Sequence, residues 1–267
     1  MSTPRRIDVA REGARAGADV ASGHFRTTLS VEHKTGKTDV VTIADRDAQR
    51  AVINSIKSTY PEETIVGEEE DALKTVPSRG ETWVIDPIDG TNNYVRGTQV
   101  WATAVAAVTD AEPTVGVVNL PELGDEYWTD TETAYRNGEQ INVSEKTDPA
   151  AGIVAPTLWW DFDSRKQYGR ACQAILDRFG DLRRIGSAQA TLAGVAAGII
   201  DGAITNLQAN PWDTLAGVAL VRAAGGRVTD VSGDHWQHDS DGLVASNGYL
   251  HTETLTAAQN IHPTHST

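Results

Sequence analysis

The sequence predicts an α+β fold, and two patterns carry the prediction. Helical spacing comes in pairs of segments while β-like runs come in blocks, the layout of a sandwich of helices on sheets. Successive short strands in the middle of the chain close on Asn137-Gly138, a tight hairpin turn, which implies a mostly antiparallel sheet.

The elements follow in order. Residues 5–25 read as an amphipathic helix with Ile7, Ala10, Ala14, Ala18 and Ala21 on one side. The polar segment 32–37 reads as a loop or a hairpin, and 40–43 is short and β-like. Helical spacing returns over 45–60 through Ala48, Val52 and Ile56, and Pro61 marks its end. Strands are expected at 64–66 and 82–85, then at 101–108, 114–119, 125–129 and 134–136. Beyond these, 152–156 is β-like, 164–179 helical and 182–185 extended. Ser187 is placed to cap a helix of small residues running to about residue 200, in which Gly194 and Gly198 form a small-residue packing pair. A strand lies within 199–205, a helix over 212–224 with Gly225-Gly226 as its stop, and strands at 226–231 and 243–246. The tail after about residue 256 is expected to fray. No repeat and no linker composition appears. Residues 1–148 form an N-terminal α+β half and 149–267 a C-terminal α/β half, to be counted as one domain or two.

Composition narrows the function. With 39% apolar residues and no apolar run of spanning length, the chain reads as soluble, without a membrane. The first 19 residues lack a signal-peptide apolar centre, so a cytoplasmic location is expected. A single cysteine, Cys172, excludes an intramolecular disulfide and a Cys-based zinc site. The net charge is −14, with 37 acidic residues against 23 basic ones, of which only Lys34, Lys37, Lys57, Lys74, Lys146 and Lys166 are lysines. Such an acidic, lysine-poor surface suits concentrated salt, and it should repel nucleic acid at low salt.

The most informative stretch is Asp86-Pro87-Ile88-Asp89-Gly90-Thr91, after the apolar run Trp83-Val84-Ile85. Two carboxylates stand at a strand's end, and Pro87 between them is expected to stop the ladder. Gly90 permits an unusual turn, and Thr91 offers a hydroxyl and a helix cap. Asp-x-x-Asp can aim two hard oxygens at one point, as Mg²⁺ requires, while the N–H groups of Gly90 and Thr91 could hold a phosphate oxygen. The plain alternative is a polar turn after a strand. Glu68 in Gly67-Glu68-Glu69 ends another β-like run, and Asp213 in Trp212-Asp213 opens a helical segment. Three acidic sites at element ends, far apart in sequence, suit a metal centre assembled by folding. Taken singly, Asp213 reads as a helix cap, Asp45 as an N-cap before Arg46, and 67–71 as a solvated acidic run in which only Glu68 is a candidate.

In order along the chain, Gly-Glu-Glu, Asp-Pro-Ile-Asp-Gly-Thr and Trp-Asp resemble the pattern of the inositol monophosphatase family, Mg²⁺-dependent, lithium-sensitive phosphomonoesterases. The resemblance extends to Asp39-Val40-Val41-Thr42-Ile43-Ala44-Asp45, Asn137-Gly138, Gly186-Ser187-Ala188 and Ala224-Gly225-Gly226, so it covers roughly residues 5 to 250. It implies a layered α-β-α-β-α sandwich and a homodimer. With the acidic surface, it points to a halophilic archaeon as the source.

The resemblance also implies roles. Two Mg²⁺ ions, or three, would be held by Glu68, Asp86, the carbonyl of Ile88, Asp89 and Asp213. Asp45 and Thr91 match the family's pair that activates the attacking water, with Glu68 beside them, and no covalent phospho-enzyme is expected. Lys34 sits at the family's loop-lysine position near that water; a solvated loop charge is the alternative. Substrate contacts would come from Lys34, Asp89, Gly90, Thr91, Gly186, Ser187, Ala188, Asn206 and Asp213. Asn206 departs from the pattern, because inositol phosphatases commonly carry a glutamate seven residues before the Trp-Asp aspartate; an amide still binds hydroxyls. Trp159-Trp160 suggests a packing, stacking or lid surface. The implied reaction is in-line attack of metal-activated water on a small polyol or sugar phosphate, inositol 1-phosphate first. Fructose 1,6-bisphosphate is next, with Arg183, Arg184 or a partner subunit's arginine for the second phosphate, and a 3′-phosphonucleotide third. The non-enzymatic alternative is a regulatory protein that kept the fold.

Overall fold

A computed structural model describes residues 5–27, 31–33, 40–69, 72–158, 162 and 164–261. In chain order these form α1 (Arg6–His24), β1 (Val31–His33), β2 (Val40–Thr42), α2 (Ile43–Thr59), β3 (Thr64–Gly67), β4 (Glu81–Asp89) and α3 (Thr91–Val95). The meander β5 (Ala102–Thr109), β6 (Glu112–Leu120), β7 (Asp125–Thr129), β8 (Ala134–Arg136) and β9 (Glu139–Ile141) follows. The second half comprises β10 (Ile153–Pro156), α4 (Arg165–Leu176), β11 (Asp181–Leu182), α5 (Ala188–Ala196), β12 (Gly202–Thr205) and α6 (Pro211–Ala223). It ends with β13 (Arg227–Thr229), β14 (Leu243–Ser246) and α7 (His251–Gln259).

The larger sheet has the order β3-β4-β5-β6-β7-β8-β9, antiparallel except for the parallel pair β3–β4. The smaller has the order β11-β10-β12-β14-β13, with β11, β10 and β12 parallel. The run Trp83-Val84-Ile85 lies in a strand covered on both faces, as its lack of alternation requires. Trp83 and Ile85 pack against Ile7, Ala10 and Ala14 of α1 and Val52 and Ile56 of α2. Val84 packs the other way, in a core shared with Leu192 of α5 and Leu215 and Leu220 of α6. That core reaches Ala203 and Ala245 of the small sheet. The far face of the small sheet packs Val154, Ile204 and Val244 against Ala171 and Ile175 of α4 and Ala257 and Ala258 of α7. The five layers α-β-α-β-α that the resemblance implied are therefore present. α5 and α6 are apolar nearly all round because each lies between two sheets. The approach of α6 is close: a Cβ at Gly116 of β6 would fall 2.3 Å from the carbonyl of Ala216.

Several expectations need correction. Pro87 does not end β4, which continues to Asp89; pairing with β5 slips between Asp86 and Asp89, so the proline sits in a bulge. Thr91 is the first residue of α3, and Gly90, at φ +93, takes the cap position. α5 stops at Ala196, and Gly198, at φ +66, is the left-handed residue just past its end, so it terminates the helix instead of packing within it. Of the tail expected to fray, residues 257–259 complete α7, and Ala257, Ala258 and Ile261 are fully buried, so tertiary packing overrides the weak local signal there; residues 262–267 lie outside the described residues. β1 and β2 pair antiparallel, and Lys34 and Lys37 lie outside the described residues, as do Glu70, Asp71, Trp159, Trp160 and Asp161.

His251, in the first turn of α7, is buried between Thr229 and Ser246. Thr229 Oγ1 already donates to the carbonyl of Asp230, so His251 Nε2 carries the proton and donates to Thr229 at 3.0 Å, while Nδ1 accepts from Ser246. Burial, aided by Arg227, pulls its pKa from 6.5 down to about 4. The unfolded chain takes up a proton between pH 6.5 and about 4 that the folded protein refuses. Stability is thus complete above 6.5 and falls with pH through that window, by about 3 kcal/mol at the limit. The buried carboxyls titrate with the opposite sign, so the check is a difference: from pH 7 to pH 4 the melting temperature of wild type should fall relative to that of His251→Gln.

Candidate metal centre

The parallel register of β3 and β4 starts the site. Gly67 pairs with Ile85, so the next residues, Glu68 and Asp86, leave the same edge of the sheet side by side. The bulge at Pro87 returns Asp89 to the ladder opposite Ala102, three residues beyond Asp86. From the other side comes the start of α6, where Pro211 occupies the first turn and Asp213 follows. Asp86, Asp89 and Asp213 each bring a carboxylate oxygen into a group lying within 4.8 Å of one another. Glu68 lies outside that trio, yet its charge raises the pKa of both Asp86 and Asp213.

Asp86 is 2% exposed, and its Oδ1 is buried with no hydrogen-bond partner. Its carboxyl is pushed well above the usual range by burial first, then by Glu68, Asp89, Asp213 and Asp45. Asp213 is pushed up to about 8 by burial, then by Glu68 and Asp89, against a hydrogen bond from Asn210. Burial also raises Asp89, although Ser187, Gln189 and Ala188 donate to it. An orphaned buried oxygen among repelling carboxyls is one a cation could satisfy, and an all-oxygen donor set fits a hard divalent ion such as Mg²⁺. Because burial raises the pKa of all three carboxyls, a cation loaded there would compete with protons.

Asp45 and Thr91 meet at the side of this cluster. Asp45 is not the N-cap of α2; Thr42 is, and Asp45 closes a capping box by accepting from Thr42 N at 2.7 Å and Thr42 Oγ1 at 2.6 Å. Both bonds use Oδ2, which leaves Oδ1 facing the Thr91 hydroxyl at 3.3 Å. The same hydroxyl lies 3.0 Å from the carbonyl of Ile88, so its one proton serves one acceptor at a time. Gly90 cannot be replaced without strain: its φ is positive, and a Cβ there would meet the carbonyl of Gly186 at 3.1 Å.

Comparison with known proteins decides the family. The model of the inositol monophosphatase family matches residues 4–263. The chain belongs to the inositol monophosphatase family. The members of that family are phosphomonoester hydrolases, in general Mg²⁺-dependent. The chain is 35% identical to the fructose-1,6-bisphosphatase/inositol-1-monophosphatase of Thermotoga maritima, with 89% of this chain and 90% of that one covered. It is 33% identical to the Nus factor SuhB of Escherichia coli K12, over 90% of this chain and 91% of that one. A solved Thermotoga maritima IMPase structure superposes with a TM-score of 0.87 at 32% identity, over 96% of this chain and 97% of that one.

In this inositol monophosphatase relative the expected substrate wall also braces the acidic cluster. Asp89 Oδ2 accepts from the Ser187 hydroxyl and from Gln189 N at 2.7 Å, and Oδ1 accepts from Ala188 N at 3.1 Å. Ser187 caps α5 as expected, accepting from Ala190 N at 3.0 Å. Gly186 lies against Asn93, whose amide donates to the carbonyls of Val100 and Ile185 and so joins the two halves of the chain. Asn206 donates to Gln167 Oε1 at 2.9 Å. Arg183 and Arg184 are exposed, and Arg183 pairs with Asp181. Sequence reasoning missed Asn93, Gln189 and Lys74. Only Lys74 carried a signal, as a lysine six residues after Glu68 in a chain with few.

Proposed function

We propose that the chain is a Mg²⁺-dependent phosphatase that hydrolyses a small polyol or sugar phosphate monoester, inositol 1-phosphate first, by in-line attack of water. The observation that carries this is the partnerless Asp86 Oδ1 at the centre of the acidic group. Glu68, Asp86, the Ile88 carbonyl, Asp89 and Asp213 would hold two Mg²⁺ ions, or three. Bound there, Mg²⁺ supplies Lewis acidity, lowering the pKa of water and offsetting charge on the phosphate. Asp45 Oδ1 accepts a hydrogen bond from the Thr91 hydroxyl, so that Thr91 Oγ1 accepts from the attacking water and orients it. The N–H groups of Gly90 and Thr91 hold a phosphate oxygen, and Asn206 meets the alcohol portion as donor and acceptor. Gly186, Ser187 and Ala188 line the far wall, and Lys34 adds a positive charge.

Fructose 1,6-bisphosphate is the second substrate reading, favoured by the double name of the Thermotoga maritima relative. A 3′-phosphonucleotide comes third. The Nus factor SuhB of E. coli keeps a regulatory reading in view. Against it stands the acidic group, which serves no purpose in a binding protein without cations. A panel of inositol, fructose and nucleotide phosphates, assayed for phosphate release with Mg²⁺ in high KCl, tests the proposal. Release from one class supports it; silence across the panel sinks it.

We further propose a homodimer adapted to salt, working in the cytoplasm. No helix among the described residues is long and apolar enough to cross a membrane. With Mg²⁺ held constant, the melting temperature should climb as KCl rises from about 0.1 to about 2 M, since salt screens the self-repulsion of a net charge of −14. A flat or falling curve would remove the salt-adapted reading.

A further inference from the structure

We propose that Lys74 is a positioning residue of the metal centre: its ammonium clamps the Gly67–Glu69 turn and ties it to the start of α6. The inference rests on the metal-centre reading above. Lys74 Nζ donates to three successive carbonyls, Gly67 at 2.8 Å, Glu68 at 2.8 Å and Glu69 at 2.6 Å. An ammonium has three protons, and the turn takes them all. Three neighbouring carbonyls aimed at one point fix the backbone of the turn, and with it the direction in which the Glu68 side chain leaves. The turn is held from its other face as well, where Glu69 N donates to Gln49 Oε1 at 2.9 Å. Lys74 itself is anchored by its neighbour Leu73, which exchanges backbone hydrogen bonds with Ile65 and Gly67 of β3.

The same ammonium lies 5.5 Å from the centre of the Trp212 ring, within cation–π reach. Trp212 precedes Asp213. Its carbonyl accepts from Gln189 Nε2 at 2.6 Å, and Gln189 N donates to Asp89 at 2.7 Å. A continuous path of contacts among the described residues therefore joins the segments bearing Glu68, Asp213 and Asp89, and Lys74 links the first to the second. Lys74 is exposed, so water and salt screen its charge; what it contributes is geometry.

Calorimetric titration of the metal-free protein with Mg²⁺ tests this. Lys74→Met keeps the stem and loses all three donors. It should bind Mg²⁺ about tenfold more weakly, as loss of a group supporting a ligand does. Its metal-free melting temperature should stay within about 3 °C of wild type, and its kcat should recover at saturating Mg²⁺. Lys74→Arg, whose planar fork cannot aim three protons at one cone of carbonyls, should fall between the two. Unchanged affinity in Lys74→Met overturns the clamp, and so does tighter binding, the sign of a mere positive charge near the site. Should Lys74→Met fail to fold, Lys74→Arg decides: intermediate affinity supports the clamp, wild-type affinity overturns it. Wild-type protein that binds no Mg²⁺ would defeat the metal-centre reading itself. Wild-type binding that is lost in Asp86→Asn and kept in Lys74→Met would defeat the clamp alone.

Discussion

Asp86→Asn is expected to lower Mg²⁺-dependent phosphate release about 10³-fold or more while leaving the metal-free protein at least as stable as wild type. The loss follows from the site: Asp86 lies between Glu68, Asp89 and Asp213, and no other described group answers its Oδ1. Removing a charge that holds a metal forfeits several kcal/mol of transition-state stabilisation, and about 4 kcal/mol is 10³-fold in rate. The gain in stability has the opposite origin. Burial and four neighbouring carboxylates raise the pKa of Asp86 well above 3.8. Below that value both folded and unfolded chains hold the proton, and the side chain contributes nothing to pH dependence. Above it the unfolded chain gives up its proton before the folded one does, so stability is lost as pH rises. An amide has the shape of the protonated acid without this loss. In EDTA the variant and wild type should melt together near pH 4 and separate in favour of the variant near pH 8. Added Mg²⁺ should raise the melting temperature of wild type alone. A variant less stable than wild type at pH 8 in EDTA would mean that Asp86 has a partner in the folded protein.

How much of this was legible in the sequence depends on the distance over which each signal acts. Local signals read well: Asn137 and Gly138 both adopt positive φ between β8 and β9, as a two-residue hairpin turn demands. The apolar run 83–85 is the strand it looked like, and Ser187 is the cap it looked like. What failed locally was a competition between neighbours. Asp45 has the spacing of an N-cap, but Thr42 holds that position and turns Asp45 inward, toward Thr91. Pro87 reads as a strand stop, yet β5 pairs on both sides of it. Long-range placement was not legible from residues alone. Nothing in Gly67-Glu68 says that β3 will lie parallel to β4 in the register that sets Glu68 beside Asp86. Nothing in the small residues of α7 says that they will cover the smaller sheet. The family resemblance carried both the layer order and the candidate site, because it compares whole folds and not neighbours.

Asp89→Ala should separate the two aspartates of one hexapeptide. Three residues from Asp86, Asp89 is 6% exposed and faces the opposite situation: its oxygens are taken up by donors from the start of α5. Oδ2 accepts from Ser187 and Gln189, and Oδ1 from Ala188, which leaves one lone pair on Oδ1 to face the acidic group. Truncation strands a buried hydroxyl and two backbone N–H groups at the junction between the large sheet and α5. Leaving such groups unpaired costs about 1–3 kcal/mol each at most, and water entering the gap recovers part of it, so a net loss of about 3 kcal/mol is expected. The metal-free melting temperature should therefore fall, by roughly 6 °C or more for a chain of this size, where Asp86→Asn raises it. Phosphate release should be lost in both variants, since each removes an oxygen from the same 4.8 Å group. Equal melting temperatures for the two variants in EDTA would contradict this division of labour, in which Asp86 is held ready for a cation and Asp89 also binds the two halves of the chain together.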